Sequence, residues 1–203
     1  MHAAPSRRRG DRLLESIYDA ATQIIKTEGY GALTFLRISR LARTGRTVLY
    51  RRWATPFDLV REIMIYRSTA ALDGELIDKI EDTGSLRGDL LRLMDLYQQI
   101  YLATGPELMN AVLFEMSQDA TRMAQMKDGA VFKNVQVMEK LLGFAKARGD
   151  KISPLSMTAK TLPFDLIRTS FLWERRVLSA DEREHLVDEI VLPVFRGGHR
   201  DNG

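Results

Sequence analysis

Residues 38–53, ISRLARTGRTVLYRRW, contain five arginines and no acidic residue. Their apolar residues keep helical spacing as far as Trp53, which places the arginines together on the outer side of a short helical segment. Arginine suits phosphate oxygens, and its planar guanidinium can also make two parallel hydrogen bonds to a guanine edge in the major groove. The segment therefore predicts binding to double-stranded DNA, although a solvated arginine-rich surface has the same composition.

The candidate DNA contacts are arginines with hydroxyl side chains between them. We assign Arg46 to a guanine edge and the other arginines to phosphates, with Thr47 and Tyr50 as hydroxyl donors. Thr34 joins them because it can open the preceding short helix. The complete set is Thr34, Arg37, Arg43, Arg46, Thr47, Tyr50, Arg51 and Arg52.

The basic charge is concentrated at one end of the chain. Residues 1–60 hold 11 Lys/Arg against 5 Asp/Glu, which from totals of 30 and 27 leaves 19 against 22 for residues 61–203. This asymmetry indicates a polyanionic partner for the N-terminal segment and a different role for the remainder.

Composition and motifs argue against several other classes of function. Cysteine is absent and only three histidines occur, so no metal site is expected. Glu182 and His185 have the Glu-x-x-His spacing of di-iron proteins, but that site needs a second pair and two further glutamates. The chain also lacks a glycine-rich phosphate loop, a nucleophile elbow and a His-Glu-x-x-His motif, so we expect neither an enzyme nor a cofactor. Without a membrane-span length of apolar sequence or a secretory leader, the chain is expected to be cytoplasmic.

The elements that must position these residues are helices. Apolar residues recur at three- and four-residue spacing, and no alternating strand pattern of useful length occurs, which predicts an all-α fold of about nine helices. A long first helix should end at Gly29, and Thr34 should cap a short second helix over about 35–42. Gly45 precedes a third, over about 46–53. Two short helices joined by a tight turn are the geometry of a helix-turn-helix.

The rest of the chain is expected to be helical as well. Ser85 and Ser179 are predicted helix caps, the latter with Glu182 in a capping box, and Pro163 should kink the helix that contains it. The expected helices run over about 56–80, from 86 to beyond 101, and over 107–126, 130–148, 155–176 and 180–196.

The first 60 residues resemble the tetracycline-repressor (TetR) family of bacterial regulators. In that family an Ala-Ala pair packs the first helix, a threonine opens the second, and Leu-Tyr followed two residues later by Phe or Trp ends the recognition helix. The residues that carry the resemblance are Ile17-Tyr-Asp-Ala-Ala, Glu28-Gly29-Tyr30, Leu33-Thr34, Ile38, Ala42, Leu49-Tyr50-Arg51-Arg52-Trp53 and Leu59-Val60. Beyond them the chain is similar to the family only in length and helical layout.

Two features depart from the family pattern. Ala42-Arg43-Thr44-Gly45 stands where the family usually has Ala-Gly-Val-Ser, so Arg43 would occupy a left-handed position at a cost of about 1 kcal/mol. Gly45 replaces the usual serine cap with a small loss. The lysine that the family often places at the start of the fourth helix is absent, because Pro56-Phe57 occupies that segment.

The resemblance implies a division into a flexible basic arm (1–10), a helix-turn-helix domain (11–55) and a helical domain for ligand binding and dimerisation (56–203). It also implies a homodimeric repressor that binds a pseudo-palindromic operator and leaves it when a small, largely apolar or cationic effector binds. The alternative is a helical small-molecule-binding or interaction protein whose DNA-reading turn has decayed, a reading suggested by Arg43 and Gly45.

Two further sets of candidate residues belong to the helical domain. Aromatic residues, methionines and one glutamate are the candidate ligand contacts: Met94, Tyr97, Tyr101, Phe114, Glu115, Met138, Phe171 and Trp173. A methionine or aromatic residue at helical spacing is more often part of the core, and Glu115 can equally be solvated. Apolar residues of the last two helices are the candidate dimer contacts: Leu162, Leu166, Ile167, Leu186, Ile190 and Val194.

Overall fold

The computed structural model describes the backbone of residues 5–197, and the side chains within that range except those of residues 5–9, 120, 122 and 123. Over this range the chain is helical and contains no strand, which confirms the predicted all-α fold. The α-helices are α1 (Pro5–Glu28), α2 (Phe35–Leu41), α3 (Arg46–Arg52), α4 (Pro56–Leu72), α5 (Leu86–Thr104), α6 (Pro106–Gln118), α7 (Ala120–Arg148), α8 (Met157–Glu174), α9 (Ala180–Leu186) and α10 (Leu192–Arg196). Short 3-10 helices cover Tyr30–Ala32 and Leu76–Lys79. A π-helical turn, Val187–Val191, joins α9 to α10 without a break.

The chain forms two compact units. The first unit combines the chain up to Tyr66 with Thr104–Ala120, and the second combines Arg67–Ala103 with the chain from Thr121 onward. These bounds differ from a division at residue 55, because α6 and the first part of α4 belong to the N-terminal unit. Of the predicted basic arm, residues 5–10 lie in α1, whereas residues 1–4 lie outside the described residues.

The first unit is built around one face of α1. Ile17, Ala21 and Ile24 are buried on that face, and α1 packs against both α2 and α6. The side chains of Ile38 and Leu49, from α2 and α3, have no exposed surface. Burial of each such side chain contributes roughly 1.5–3 kcal/mol, so the two short helices are held mainly by packing.

Local signals set the bounds of α2 and α3. The Thr34 hydroxyl accepts a hydrogen bond from the Arg37 backbone N–H at 3.3 Å, as expected for the cap of α2. Gly45 precedes α3 with φ −78° and supplies no side-chain cap. Between them, Arg43 has φ 52°, so the left-handed turn conformation is kept although an arginine occupies it.

The second unit has a core of aliphatic, methionine and aromatic side chains. Leu90 and Met94 of α5, Met138 of α7 and Phe164 of α8 are among its fully buried residues. A buried amide, Gln98, exchanges two hydrogen bonds of 3.2 and 3.1 Å with the backbone of the loop that precedes α9. Those bonds fix α5 to the segment between α8 and α9.

Two predicted helix ends were wrong. The fourth helix ends at Leu72 rather than near residue 80, because Asp73 and Gly74 adopt positive φ angles of 50° and 144°. The sixth ends at Gln118, where Asp119 has an extended backbone with φ −144°, and α7 then runs through Gly129, near which a break was expected. Asp-Gly is a recognised turn pair, whereas nothing in the sequence around Asp119 marks a break.

The π-helical turn has a local cause in Pro193. Proline has no N–H and its ring crowds the carbonyl of the residue four positions earlier, so the preceding turn widens. Within that turn the Leu192 N–H donates to the Val187 carbonyl, five residues back. The predicted caps Ser85 and Ser179 are present, and the Ser179–Glu182 capping box is complete.

Along the part of the chain that the structure describes, no helix is both long and apolar enough to cross a membrane.

Candidate functional site

One face of α3 presents most of the predicted DNA contacts. Arg46 and Thr47 in its first turn are exposed, and Tyr50 and Arg51 follow one turn later on the same side. The opposite side is buried through Leu49. Among the described residues, no carboxylate pairs with Arg46 or Arg51, which leaves these guanidinium groups available to an external anion.

Tyr50 is held in an outward position by its neighbour in α2. Its ring meets the ring of Phe35 edge-on, with centroids 4.9 Å apart, while 62% of the residue remains exposed. The hydroxyl is thus presented to solvent on a fixed ring rather than on a free side chain. Thr34 and Arg43, at the start of α2 and in the turn, are exposed as well.

The far end of α3 is held by a carboxylate that the sequence did not single out. Glu62 of α4 accepts hydrogen bonds from the Tyr18 hydroxyl at 2.5 Å, Arg52 Nη2 at 2.7 Å and Trp53 Nε1 at 2.9 Å. The guanidinium of Arg52 also lies 5.3 Å from the centre of the Trp53 ring. One glutamate therefore joins α1, α4 and the C-terminal end of α3.

These partners change the acidity of the cluster. Burial raises the pKa of Glu62, but the hydrogen bonds from Tyr18, Arg52 and Trp53 outweigh it and leave that pKa below its usual value. Burial and the bond to Glu62 raise the pKa of Tyr18 well above its usual range. Arg52 was predicted to contact phosphate, and the structure places it in this ion pair instead of among the unpaired arginines.

Polar side chains also form ion pairs and hydrogen bonds within the protein at Arg37 and at the start of α4. Arg37 forms an ion pair with Glu28 at the end of α1. At the start of α4, the Asp58 carboxylate accepts from the Thr55 N–H and hydroxyl at 2.9 and 2.8 Å, and the Thr55 hydroxyl accepts from the Asp58 N–H at 3.2 Å. This reciprocal cap closes the start of α4.

Five of the eight candidate ligand residues lie in the core of the second unit, four of them buried and Tyr97 half-buried. The rings of Tyr97 and Tyr101 on α5 are 5.3 Å apart, with Phe164 and Phe171 of α8 at 4.9 and 5.0 Å from them. The sequence set omitted Arg168, whose side chain joins this cluster through both tyrosine hydroxyls. The members of the candidate set found in this core are Met94, Tyr97, Tyr101, Met138 and Phe171.

The other three candidates lie elsewhere. Phe114 and Glu115 belong to the first unit, where the Tyr30 ring lies tilted against the Phe114 ring at 5.7 Å and the Tyr30 hydroxyl donates a hydrogen bond to Glu115 at 2.5 Å. Trp173, near the end of α8, is 84% exposed and does not join the aromatic core. The carboxylate expected to meet a cationic ligand therefore already accepts a hydrogen bond, in a different unit from the aromatic cluster.

The candidate dimer residues divide between core and surface. Ile167 is 2% exposed, because its own unit already covers it, so it has almost no surface left for a second copy. Ile190 and Val194 are 40% and 42% exposed. Leu162, Leu166 and Leu186 are half-buried.

Glu182 and His185, the residues of the Glu-x-x-His spacing, contact different partners. Glu182 accepts from Arg176 and from the Ser179 backbone, and His185 Nε2 lies 3.0 Å from a carboxylate oxygen of Glu189. Across the side chains that the structure describes, no three His, Asp or Glu residues are grouped so as to hold a metal ion.

Comparison with known proteins places the chain in a family. Residues 80–190 match the family description "Tetracyclin repressor-like, C-terminal domain". The chain is 24% identical over 196 residues to a DNA-binding transcriptional repressor TetR from Mycobacteroides abscessus, covering 95% of this chain and 98% of that protein. It is 27% identical over 175 residues to an HTH-type transcriptional regulator from Mycobacterium tuberculosis, covering 84% and 82%.

The fold is also shared with a solved structure. A TetR family transcriptional regulator from Pseudomonas syringae superposes with a TM-score of 0.60 over 90% of this chain and 94% of that one, at 20% identity. That likeness shows a shared fold, and the family description covers more than half of the sequence. The chain therefore belongs to the tetracycline-repressor family of transcriptional regulators.

Proposed function

We propose that this regulator is a repressor that binds a pseudo-palindromic operator as a homodimer and leaves it when a small, largely apolar effector binds. The observation that carries DNA binding is the exposed face of α3, where Arg46, Thr47, Tyr50 and Arg51 point outward over a buried Leu49. A helix of this kind fits the major groove with its first residues against base edges.

The roles within this face follow from position. Arg46 lies at the N-terminal end of α3, the part of a recognition helix that reaches the bases, and a bidentate bond to guanine discriminates by about 1–3 kcal/mol. Arg43 and Arg51 are exposed beside it and suit phosphates. Arg52 is proposed to position the end of α3 through Glu62, and through it the phosphate contacts made by its neighbours.

The geometry of the turn favours this proposal over a decayed DNA-reading element. Arg43 adopts the left-handed conformation at φ 52°, and α2 and α3 keep their buried contacts on either side of it. The substitution therefore costs stability locally, about 1 kcal/mol, without changing the turn.

A dimer is proposed because one short helix contacts too few base pairs for useful specificity. Two copies related by a two-fold axis read half-sites about 34 Å apart, or a multiple of that distance. The exposed Ile190 and Val194 lie one turn apart on the last helical segment. On α8, Trp173 follows the half-buried Leu162 and Leu166 on the same side. An apolar surface of this kind suits a second copy.

Effector release is proposed to act through α4. This helix begins next to α3 and contributes residues to both compact units, so a change in its tilt can move the recognition helices out of register. The coupling free energy required is about 1–3 kcal/mol, and operator DNA must weaken effector binding by the same factor.

The first experiment is selection of genomic fragments by the purified protein, including the region upstream of its own gene, followed by footprinting. We expect a protected pseudo-palindrome with half-sites one or more helical turns apart. Failure to enrich any fragment over DNA of matched composition would contradict sequence-specific binding.

The dimer is tested with Val194→Glu, which places a charge in the apolar surface. We expect a monomer in sedimentation that has lost specific operator binding, whereas the control Glu189→Gln, at an exposed ion pair nearby, should remain dimeric. A wild-type protein that sediments as a monomer at micromolar concentration and still binds its operator would overturn the dimer.

A further inference from the structure

The aromatic cluster of the second unit encloses a guanidinium group. Arg168 of α8 donates from Nε to the Tyr101 hydroxyl at 3.1 Å and from Nη2 to the Tyr97 hydroxyl at 3.2 Å. Its Nη1 donates to Asp165 at 2.5 Å. One third of the Arg168 side chain remains accessible to solvent. The cation is thus fixed in place by two tyrosines, whose rings contact those of Phe164 and Phe171.

The cluster contains more hydrogen-bond donors than acceptors. An arginine has five N–H groups and each tyrosine hydroxyl adds one O–H, whereas the acceptors in reach are one Asp165 carboxylate and the two hydroxyl oxygens. Arg168 uses three of its five N–H groups on these acceptors, which leaves two. Even if one tyrosine donates to the other, a hydroxyl proton also remains for an outside acceptor.

The protonation states keep these donors in place. Burial and the neighbouring Tyr97 raise the pKa of Tyr101 well above its usual range, so the hydroxyl keeps its proton. Burial disfavours the charged form of Arg168, but Tyr97 and Tyr101 outweigh it and raise its pKa. The cluster is therefore a preformed cation with hydroxyl donors, in surroundings that suit an apolar molecule.

We propose that Arg168, Tyr97 and Tyr101 form the receptor for an acidic group of the effector, which makes the effector class small apolar carboxylic acids. A carboxylate has two oxygens that accept in the plane of a guanidinium fork, and it supplies the acceptors that the cluster lacks. Its apolar remainder would lie against the half-buried ring of Tyr97. The inference rests on the proposed effector-release function and differs from the sequence-based expectation, which allowed a cationic effector through Glu115.

The pairing with Asp165 offers a way to distinguish a receptor from a structural ion pair. Asp165 lies three residues before Arg168 and its side chain is 45% exposed, so it competes with a ligand for the same guanidinium. Removing this carboxylate should free one more N–H group. If Arg168 is a receptor, the change should maintain or raise its affinity for a carboxylate ligand. If the pair is purely structural, the change should not raise that affinity.

The test is calorimetric titration of the full chain with a panel of apolar carboxylates of increasing size, from benzoate through 4-phenylbutyrate to decanoate, each beside its primary amide. We expect carboxylates to bind about 10- to 100-fold more tightly than the amides, because a hydrogen bond to a charged group is stronger than one between neutral groups. Arg168→Met should remove that preference, and Tyr97→Phe or Tyr101→Phe should weaken carboxylate binding several-fold. Asp165→Asn should leave it unchanged or tighter.

Several results would overturn the proposal. They are no carboxylate binding at millimolar concentration, equal affinity for acid and amide, or loss of affinity in Asp165→Asn as large as in Arg168→Met. Arg168→Lys, which keeps the charge and loses the fork, guards against simple unfolding and should bind with intermediate affinity. Operator binding is measured separately. If a carboxylate binds through Arg168 but leaves operator affinity unchanged, the result supports a carboxylate site at Arg168. The same result contradicts the proposal that effector binding releases the operator.

Discussion

Arg46 and Arg168 carry the same guanidinium group in opposite surroundings. Arg46 is exposed on the first turn of α3 and pairs with no carboxylate among the described residues, whereas Arg168 is fixed by Asp165 and two tyrosine hydroxyls beside aromatic rings. An exposed cation acts on polyanions through a screened field and displaced counterions. A preorganised, partly buried cation acts at short range on one acceptor. The surroundings of an arginine, rather than its residue type, therefore decide which anion it suits.

Salt should separate the two regions most strongly. Raising the monovalent salt concentration from 50 to 200 mM should weaken operator binding about 100- to 1,000-fold, because a dimer that neutralises roughly four to six phosphates releases that many counterions. The same change should weaken carboxylate binding by no more than about 3-fold. Both affinities can be measured on one preparation. Equal salt slopes would remove the contrast between the two arginines.

Within the DNA-reading face, Arg46 and Arg51 should behave differently. Arg46→Ala should cost about 1–3 kcal/mol at the operator and relax preference at one base pair of each half-site. Arg51→Ala should weaken binding to all sequences alike and lower the salt slope by about 1 per subunit. Binding is measured against operator variants and random DNA. Equal, sequence-independent losses for both variants would remove Arg46 from the base-reading set.

Glu62 should connect stability to pH at the far end of α3. Glu62→Gln should lower the free energy of unfolding at pH 7 by about 1 kcal/mol. The effect is modest because solvent screens a partly exposed ion pair. Because the folded-state pKa of Glu62 lies below its usual value, this contribution is present above about pH 4.5 and is lost as pH falls through the folded pKa. Denaturant unfolding at pH 7 and at pH 3 measures it.

The matched control is Glu189→Gln, an exposed glutamate that pairs only with His185 among the described residues. It should leave the free energy of unfolding unchanged within error at pH 7. A constant difference between wild type and Glu62→Gln from pH 7 down to pH 3 would contradict the role given to the carboxylate.

The smallest expected effect lies in the turn between α2 and α3. Arg43→Gly should raise the free energy of unfolding by about 0.5–1 kcal/mol, because glycine adopts a φ of 52° without strain while its flexibility offsets part of the gain. The variant also loses a basic side chain, so DNA affinity should fall slightly as stability rises. Arg43→Lys, which keeps charge and strain, is the control. A loss of stability in Arg43→Gly would show that this arginine makes a contact worth more than the strain.

The helix-turn-helix could be predicted from sequence because its signals are local. Thr34 caps α2, the spacing of Ile38 and Leu49 marks the buried side, and the left-handed position falls on Arg43 as the family pattern implied. In the second unit, the starts of α5 and α9 followed from the serine caps Ser85 and Ser179 in the same way. The helix break at Asp119 could not, because no glycine or proline marks it in the sequence.

The partners inside each site could not be predicted, because they come from distant parts of the chain. Tyr18 meets Glu62 across 44 residues, and Arg168 meets Tyr97 and Tyr101 across 71 and 67. Composition alone gives no sign of which arginine is paired. Helical spacing identified Ile167 as apolar, but it could not tell a core position from a dimer surface.

The two tryptophans of the chain lie one in each compact unit, in opposite optical environments. Trp53 is 3% exposed and its indole N–H is bonded to Glu62, whereas Trp173 is 84% exposed on the single chain. An indole in water emits at longer wavelength and is quenched by acrylamide, while a buried indole is shielded from the quencher. Trp173→Phe therefore leaves an emission that reports only on the end of the reading helix. In the unaltered protein, the emission that acrylamide quenches comes from Trp173. If this emission shifts to shorter wavelength as the protein concentration is raised, a second copy has covered this part of α8.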